Sequence, residues 1–120
     1  MIEKTPIAAT ILLDKLEGHN EVKDKLIDLI NEDKTTHTED GINQISFVDY
    51  KHATNWDRPW VKVAAPLLQK QFDKFGDNLG LSHPIIREIW YQKYKKFGDT
   101  HNWHVHSNNY TGVYYLKYAD

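Results

Sequence analysis

The chain has 120 residues, of which 40% are hydrophobic and 27% are charged, and its formal net charge is −2 when histidine is neutral. This length and composition predict one modest globular domain, residues 1–120, and exclude a disordered chain. Because no long basic run is present, the sequence gives no support for binding to nucleic acid. The absence of cysteine excludes disulfides, thiolate metal sites and cysteine nucleophiles.

The first half of the chain predicts a strand, a helix and a second short strand. Residues 6–13 form an apolar run that predicts a buried strand. The run is too short for a membrane span, and we expect a cytoplasmic protein. Asn20 is a suitable N-cap for a helix that runs to about Asp33, because apolar residues recur there at helical spacing. Residues 33–41 are polar and predict a loop, and residues 42–47 predict a short strand or extended segment.

A second helix is predicted after residues 55–59, which have the composition of a turn and a helix start. Apolar residues then line one helical face over residues 60–75. Pro66 lies within this pattern, so the helix is either kinked there or begins there. Gly76 and Gly80 are predicted to end the helix.

After Pro84 the hydrophobic period changes from that of a helix to that of a strand. Residues 85–97 are rich in β-branched and aromatic side chains and predict one long strand. Residues 101–106 and 111–118 predict two further strands, and the three are expected to be antiparallel neighbours. The sequence therefore predicts an α+β chain, with both helices packed on one face of a sheet formed late in the chain.

Two histidines two residues apart provide the clearest chemical signal in the sequence. On a strand, His104 and His106 would point to the same face, and imidazole is a common ligand of iron, zinc and copper. Gln92, Tyr94 and Tyr115 could be aimed into the same pocket from neighbouring strands. The spacing alone is equally compatible with incidental strand histidines and with Tyr115 as an ordinary core aromatic.

At these positions the chain resembles the Fe(II)- and 2-oxoglutarate-dependent oxygenases. The likeness is strongest to oxygenases of phages and bacteria that carry His-x-His followed by Ser/Thr-Gly-Val-Tyr-Tyr-Leu. The matching residues are 90–94, 101–106 and 111–116. The resemblance covers about residues 85–119, is looser upstream, and corresponds to the N-terminal half of the family's fold.

The resemblance implies part of a double-stranded β-helix, or jelly roll, with N-terminal helices that buttress one sheet. His104 and His106 match the family's first two ligand positions for iron, and His106 stands where a carboxylate is more common. Tyr115 and Tyr94 match tyrosines that line the 2-oxoglutarate pocket in related prolyl hydroxylases. His101 is three residues from His104, so strand alternation predicts that it points away from the metal.

Two later elements of the family have no counterpart in this sequence. These are the distal histidine ligand and the basic residue, usually arginine, that pairs with 2-oxoglutarate. We therefore expect the chain to be the N-terminal portion of an oxygenase, truncated after Asp120, that does not turn over 2-oxoglutarate by itself.

The expected function is hydroxylase-type oxidation of an unidentified substrate, with Fe(II) and 2-oxoglutarate as cofactors. The alternative is a non-catalytic jelly-roll or cupin-like module with a binding or structural role. Cupins usually place a glutamate a few residues after the histidine pair, where this chain has Asn108 and Asn109. Neither nucleic acid nor a membrane is an expected partner, and the open sheet edge of a half barrel would allow a homo-oligomer.

Overall fold

A computed structural model of the chain describes residues 11–102, 106 and 110–117. Within them the architecture is α+β, with two helices and a small three-stranded antiparallel sheet. In chain order the elements are α1 (His19–Glu32), β1 (His37–Asp40), β2 (Gln44–Val48), a 3₁₀ turn (Tyr50–His52), α2 (Pro59–Leu79) and β3 (Gln92–Lys93). The predicted α+β class is thus confirmed, whereas the jelly roll stays a prediction.

The sheet is built around β2, which pairs with β1 on one side and with β3 on the other. β1 and β2 form a hairpin whose register is interrupted by an irregularity between His37 and Glu39. Phe47 is opposite Lys93 where β2 meets β3. The prediction of a loop over residues 33–41 is wrong for β1, because its polar side chains lie on an edge strand, where both faces need not be buried.

Both helices lie close to their predicted positions, but their ends differ in detail. α1 begins after Gly18, which has φ 86°, so Asn20 lies within the first turn and is not the N-cap. α2 has Pro59 in its first turn and continues through Pro66, so the helix does not begin at Pro66. It ends at Gly80, whose φ of 72° is the left-handed conformation typical of a helix C-terminus. Gly76 is inside the helix and does not end it.

The hydrophobic core lies where the two helices meet the chain segment that precedes β3. Its buried members come from α1, α2 and residues 89–91, and partly buried side chains of residues 114 and 116 pack against it. Burial of such side chains provides the main favourable free energy of folding, at about 25 cal/mol per Å² of apolar surface. The buried members are Leu26, Trp60, Val61, Ala64, Ile89 and Tyr91.

A buried ion pair joins the end of β2 to the start of α2. The Asp49 side chain is completely buried and Arg58 is 3% exposed. Arg58 Nη1 donates to Asp49 Oδ2 over 2.7 Å, and Trp60 Nε1 donates to the same oxygen over 2.9 Å. The other carboxylate oxygen accepts the backbone N–H of Tyr91 over 2.9 Å. One carboxylate therefore holds together β2, α2 and the segment before β3.

Arg58 uses its remaining donors on backbone carbonyl groups. Its Nη2 donates to the carbonyl oxygen of Ile89 and its Nε to that of Asn55, each over 2.7 Å. The guanidinium carbon also lies 5.2 Å from the centre of the Trp60 ring. The pair is thus hydrogen-bonded on several sides, which a buried charge requires if it is to remain ionised.

The long strand predicted over residues 85–97 is wrong in extent, since only Gln92–Lys93 is a strand and its partner is β2. The backbone N–H of Ile89 donates to the carbonyl of Ala53, and that of Tyr91 to the Asp49 side chain. These amides therefore have partners outside a strand ladder. Residues 101, 102, 106 and 110–117 are also not in strands, so the predicted sheet of three late strands is not formed by the described residues.

The predicted first strand is not supported where the structure describes it. Residues 11–13 have no regular secondary structure, and Ile11 and Leu13 are 79% and 91% exposed. Residues 11–13 belong to no hydrogen-bonded sheet, so they do not form part of a buried strand. Residues 6–10 of the same prediction lie outside the described part of the chain.

Replacing Arg58 with Ala is expected to lower the free energy of unfolding by about 3–5 kcal/mol, because the buried Asp49 carboxylate would lose its counter-charge. Urea unfolding monitored by tryptophan fluorescence measures the change. Arg87→Ala is the matched control, since Arg87 is exposed and its loss should cost no more than about 0.5 kcal/mol. A loss below about 1 kcal/mol for Arg58→Ala would contradict a central role for the pair.

Gly76→Ala is expected to destabilise the protein by about 1–2 kcal/mol, although alanine is normally the better helix former. A Cβ at Gly76 would lie 2.8 Å from Cγ and 3.1 Å from Cδ of Pro84, so the chain after α2 would have to move. In a Pro84→Ala background the same substitution should become neutral or stabilising. Equal effects in both backgrounds, measured by denaturant unfolding, would show that the contact with Pro84 is not the cause.

Candidate functional site

The chain around β3 presents alternate side chains to two different environments. Ile89 and Tyr91 are buried in the core, whereas Gln92 is half-buried and Tyr94 is exposed. The alternation is that of an extended chain, even though only Gln92–Lys93 is in a strand. Gln92 and Tyr94 are residues that the sequence assigns to a pocket.

Gln92 connects two rings. The Tyr94 hydroxyl donates to Gln92 Oε1 over 2.5 Å, and Gln92 Nε2 lies 3.2 Å from Nδ1 of His101. If the amide donates, His101 Nδ1 is the acceptor and the ring proton resides on Nε2. Gln92 and Tyr94 are thus brought together as predicted. His101 joins them, and the prediction that it points away from the metal stays a prediction, because His104 lies outside the described residues.

A turn centred on Gly98 accounts for the position of His101. Gly98 has φ 94°, and the chain beyond it returns to β2, where Thr100 and Gln44 exchange two backbone hydrogen bonds of 2.7 Å. Asp99 Oδ2 closes the turn by accepting the backbone N–H groups of Lys95 and Lys96. Because this geometry is a turn and a single bridge, strand alternation does not determine where His101 points.

Asp99 also accepts a hydrogen bond from the Ser46 hydroxyl of β2. This bond is the largest cause of a lowered pKa at Asp99, and the backbone donors of residues 95 and 96 act in the same direction. The carboxylate is therefore ionised at neutral pH and holds the turn against the sheet. This turn places His101 beside Gln92.

His106 lies near Trp90. The centres of the two rings are 6.2 Å apart and their planes are inclined by 33°, and His106 is exposed. Trp90 also packs edge-on against Tyr50, with ring centres 4.8 Å apart. A tryptophan held in this way gives the histidine a rigid neighbour.

The metal prediction is not tested by the described residues. His104, with residues 103 and 105, lies outside them, as do Asn108 and Asn109. Within residues 11–102, 106 and 110–117, no group of three or more His, Asp or Glu side chains is placed to hold a metal ion. The assignment of His104 and His106 as ligands therefore stays a prediction.

The segment 110–117 crosses the helices with its side chains in alternation. Tyr114 and Leu116 pack against the core, whereas Val113 and Tyr115 are 73% and 71% exposed. The Tyr114 hydroxyl is hydrogen-bonded to Nδ1 of His19, and the two rings meet edge-on with centres 5.6 Å apart. Tyr114 thus anchors the segment to α1, and Tyr115 lies on its exposed side, as the predicted alternation requires.

The phenol groups near the site are neutral donors at physiological pH. Burial raises the pKa of Tyr94, and the charges of Glu39 and Asp99 raise it further. Burial likewise raises the pKa of Tyr114. A protonated phenol can donate one hydrogen bond to a carboxylate but supplies no charge. Any dianionic ligand at Tyr94 therefore needs a cation from another group.

Sequence reasoning missed two features that position this site. One is the contact between Gln92 and His101: the Gly98-Asp99 pair is typical of a turn, but it does not indicate which side chains that turn brings together. The interaction of Asp49 with Arg58 had no sequence signal, because the two residues are nine positions apart on different elements.

No family model matches the chain, and searches of curated proteins and of solved structures gave no match. Neither helix among the described residues has the length and apolar character needed to cross a membrane.

Ser46→Ala is expected to raise the pKa of Asp99 toward its ordinary value of 3.8, because it removes the strongest hydrogen bond to the carboxylate. In the wild type, the stability contributed by Asp99 is fully present above the unfolded-state pKa. It is lost as the pH falls through the lower folded-state pKa. The variant should lose this contribution, so stability near neutral pH falls and the acid dependence weakens. Carboxyl ¹³C titration of Asp99 measures the shift.

Ser82→Ala is the control for this titration, because Ser82 is exposed and lies in the loop after α2. It should leave the pKa of Asp99 at its wild-type value. An Asp99 pKa that is the same in Ser46→Ala and in the wild type would remove Ser46 as the cause.

Proposed function

We propose that this chain belongs to an Fe(II)- and 2-oxoglutarate-dependent oxygenase that carries out hydroxylase-type oxidation of a substrate. The observation that supports the proposal is the grouping around residues 90–94. Tyr94 and Gln92 are hydrogen-bonded to each other, and Trp90 lies beside His106. All four are residues of the motif that resembles the oxygenases.

The donor chemistry of the site fits iron, because imidazole nitrogen is a common ligand of Fe(II). His106 has an exposed ring, and in this proposal His104 supplies the second imidazole. Two imidazoles are an incomplete ligand set, and the described residues contain no group of three candidate ligands. A complete site would therefore need further donors.

The chain's own residues would hold the co-substrate in the pocket. Tyr94 would line the pocket, but its one hydroxyl proton is donated to Gln92, whereas Tyr115 offers a phenol donor from the exposed side of segment 110–117. A neutral hydrogen bond contributes about 1 kcal/mol net, so the Tyr115 phenol would orient a carboxylate and not anchor it alone. When bound, iron and 2-oxoglutarate would supply the oxidising power for substrate oxidation.

The second candidate function is a non-catalytic binding or structural module of cupin-like or jelly-roll type. The observation that favours it is the lack, within the described residues, of three candidate ligands close together. In that case the histidines are incidental, and the Gln92 network serves only to order the turn after β3. The two candidates differ in whether metal binding depends on His104 and His106.

The test is titration of the protein with Mn(II), or with Fe(II) under anaerobic conditions, followed by calorimetry. We expect weak binding that falls by about tenfold or more in His104→Ala and in His106→Ala, since each removes a ligand. His83→Asn is the control, because His83 is exposed and its φ of 51° suits asparagine. Affinity that is equal in all four proteins would support the binding module instead.

Tyr115 is tested separately through 2-oxoglutarate binding to the Mn(II)-loaded protein. Tyr115→Phe is expected to weaken this binding about fivefold, which corresponds to the loss of one neutral hydrogen bond. Tyr110→Phe is the matched control, since Tyr110 is also exposed but is not assigned to the pocket. Equal losses in the two variants would exclude a specific role for Tyr115.

A further inference from the structure

A pocket of about 270 Å³ lies between the C-terminal end of α1 and the sheet. On the sheet side it is lined by residues 91, 93 and 95, which alternate with Gln92 and Tyr94 and face the other way. It is therefore separate from the residues of the proposed oxygenase site. Ile30 of α1 and Phe47 of β2 form its apolar walls.

Two ammonium groups line the pocket. Lys93 Nζ and Lys95 Nζ lie 5.2 and 5.9 Å from the centre of the Phe47 ring. Burial, with the neighbouring charge of Lys95, lowers the pKa of Lys93. Lys93 donates to the neutral Asn31 side chain. Among the residues that the structure describes, no salt bridge joins either lysine to a carboxylate. These two groups therefore favour an anionic ligand group.

A carboxylate also lines the pocket. Asp33 follows the last residue of α1, and its Oδ1 accepts the backbone N–H and the hydroxyl of Thr35 over 2.9 and 2.7 Å. Its Oδ2 is buried without a hydrogen-bond partner in the protein. The last turn of α1 contains no basic residue to offset the negative end of the helix dipole. A cationic donor would satisfy this oxygen and the dipole together.

The Tyr91 side chain separates the pocket from the core. Chiefly because of burial, its pKa is raised to about 12, with Asp33 and Asp49 adding to the shift. Tyr91 is therefore a neutral phenol over the whole physiological range. The charged groups that line the pocket are thus Asp33 and the two lysines.

We propose that this pocket binds a small zwitterion of the class of aliphatic α-amino acids. The carboxylate of the ligand lies at Lys93 and Lys95, and its ammonium group donates to Asp33 Oδ2. The aliphatic side chain packs against Ile30 and Phe47. A simple anion such as phosphate fits less well, because it would leave Asp33 Oδ2 without a donor and bring a second negative charge near it.

The experiment compares four probes by calorimetry and by amide chemical shifts of the full chain. The probes are L-leucine, 4-methylpentanoate (the same skeleton without the ammonium group), 3-methylbutylamine (the same skeleton without the carboxylate) and inorganic phosphate. We expect L-leucine to bind at least about tenfold more tightly than each of the others, since each of them lacks a charge-assisted contact. The largest shifts should be at Asp33 and Lys93.

Two variants assign the ends of the ligand. Asp33→Asn keeps the acceptor for Thr35 and should weaken L-leucine about tenfold without weakening 4-methylpentanoate. Lys93→Gln should weaken both carboxylates without weakening 3-methylbutylamine. Lys96→Gln is the control, because Lys96 is exposed and does not line the pocket. The proposal is overturned if L-leucine does not bind, if 4-methylpentanoate or phosphate binds as tightly, or if Lys93→Gln behaves like the control.

Discussion

The buried ion pair of Asp49 and Arg58 is the interaction on which the arrangement of this chain depends. Transfer of two charges from water to a protein interior costs several kcal/mol each, and the cost is offset only if the charges are paired and fully hydrogen-bonded. Asp49 accepts from Arg58, Trp60 and the backbone of Tyr91. Since these groups come from α2 and from the segment before β3, the pair can be satisfied only when both are docked on β2.

Much of the remaining architecture follows from that docking. Once Tyr91 is held at the end of β2, the next two residues pair with β2 as β3, and the side chains beyond them alternate between two sides. Gln92 and Tyr94 lie on one side with His101, and Lys93 lies on the other with Phe47 and the end of α1. The proposed oxygenase site and the proposed zwitterion pocket are therefore opposite faces of one short strand, and a shift in its register would disturb both.

Side-chain hydrogen bonds replace regular strand pairing in the second half of the chain. The Asp99 carboxylate accepts hydrogen bonds from Lys95, Lys96 and Ser46, and Tyr114 is hydrogen-bonded to His19. Such contacts satisfy individual groups without a continuous ladder, so extended segments are held in place although they are not strands. His101 follows directly after this irregular turn, and its position depends on the hydrogen bonds of Asp99.

Local sequence patterns were sufficient to predict the two helices and the short central strand. They also fit residues 113–116, whose side chains alternate between the solvent and the core. These are local properties, because apolar spacing, proline and glycine act within a few residues of their own position. The prediction of a strand over residues 85–97 was wrong in extent, because a composition rich in β-formers does not specify which segment a strand pairs with. The backbone N–H groups of Ile89 and Tyr91 donate instead to Ala53 and Asp49.

The contacts between side chains that are distant in the sequence could be seen only in the folded structure. Asp49 meets Arg58, Gln92 meets His101, and the pocket joins the end of α1 to residues 93 and 95 across some sixty positions of the chain. Contacts of this kind depend on how separate elements dock. Docking is governed by the pairing of buried charges and by core packing, neither of which can be predicted from residue spacing within one segment. The histidine pair could therefore be recognised in the sequence as a candidate metal site, which stays a prediction, whereas the neighbours of His101 and His106 could not be predicted.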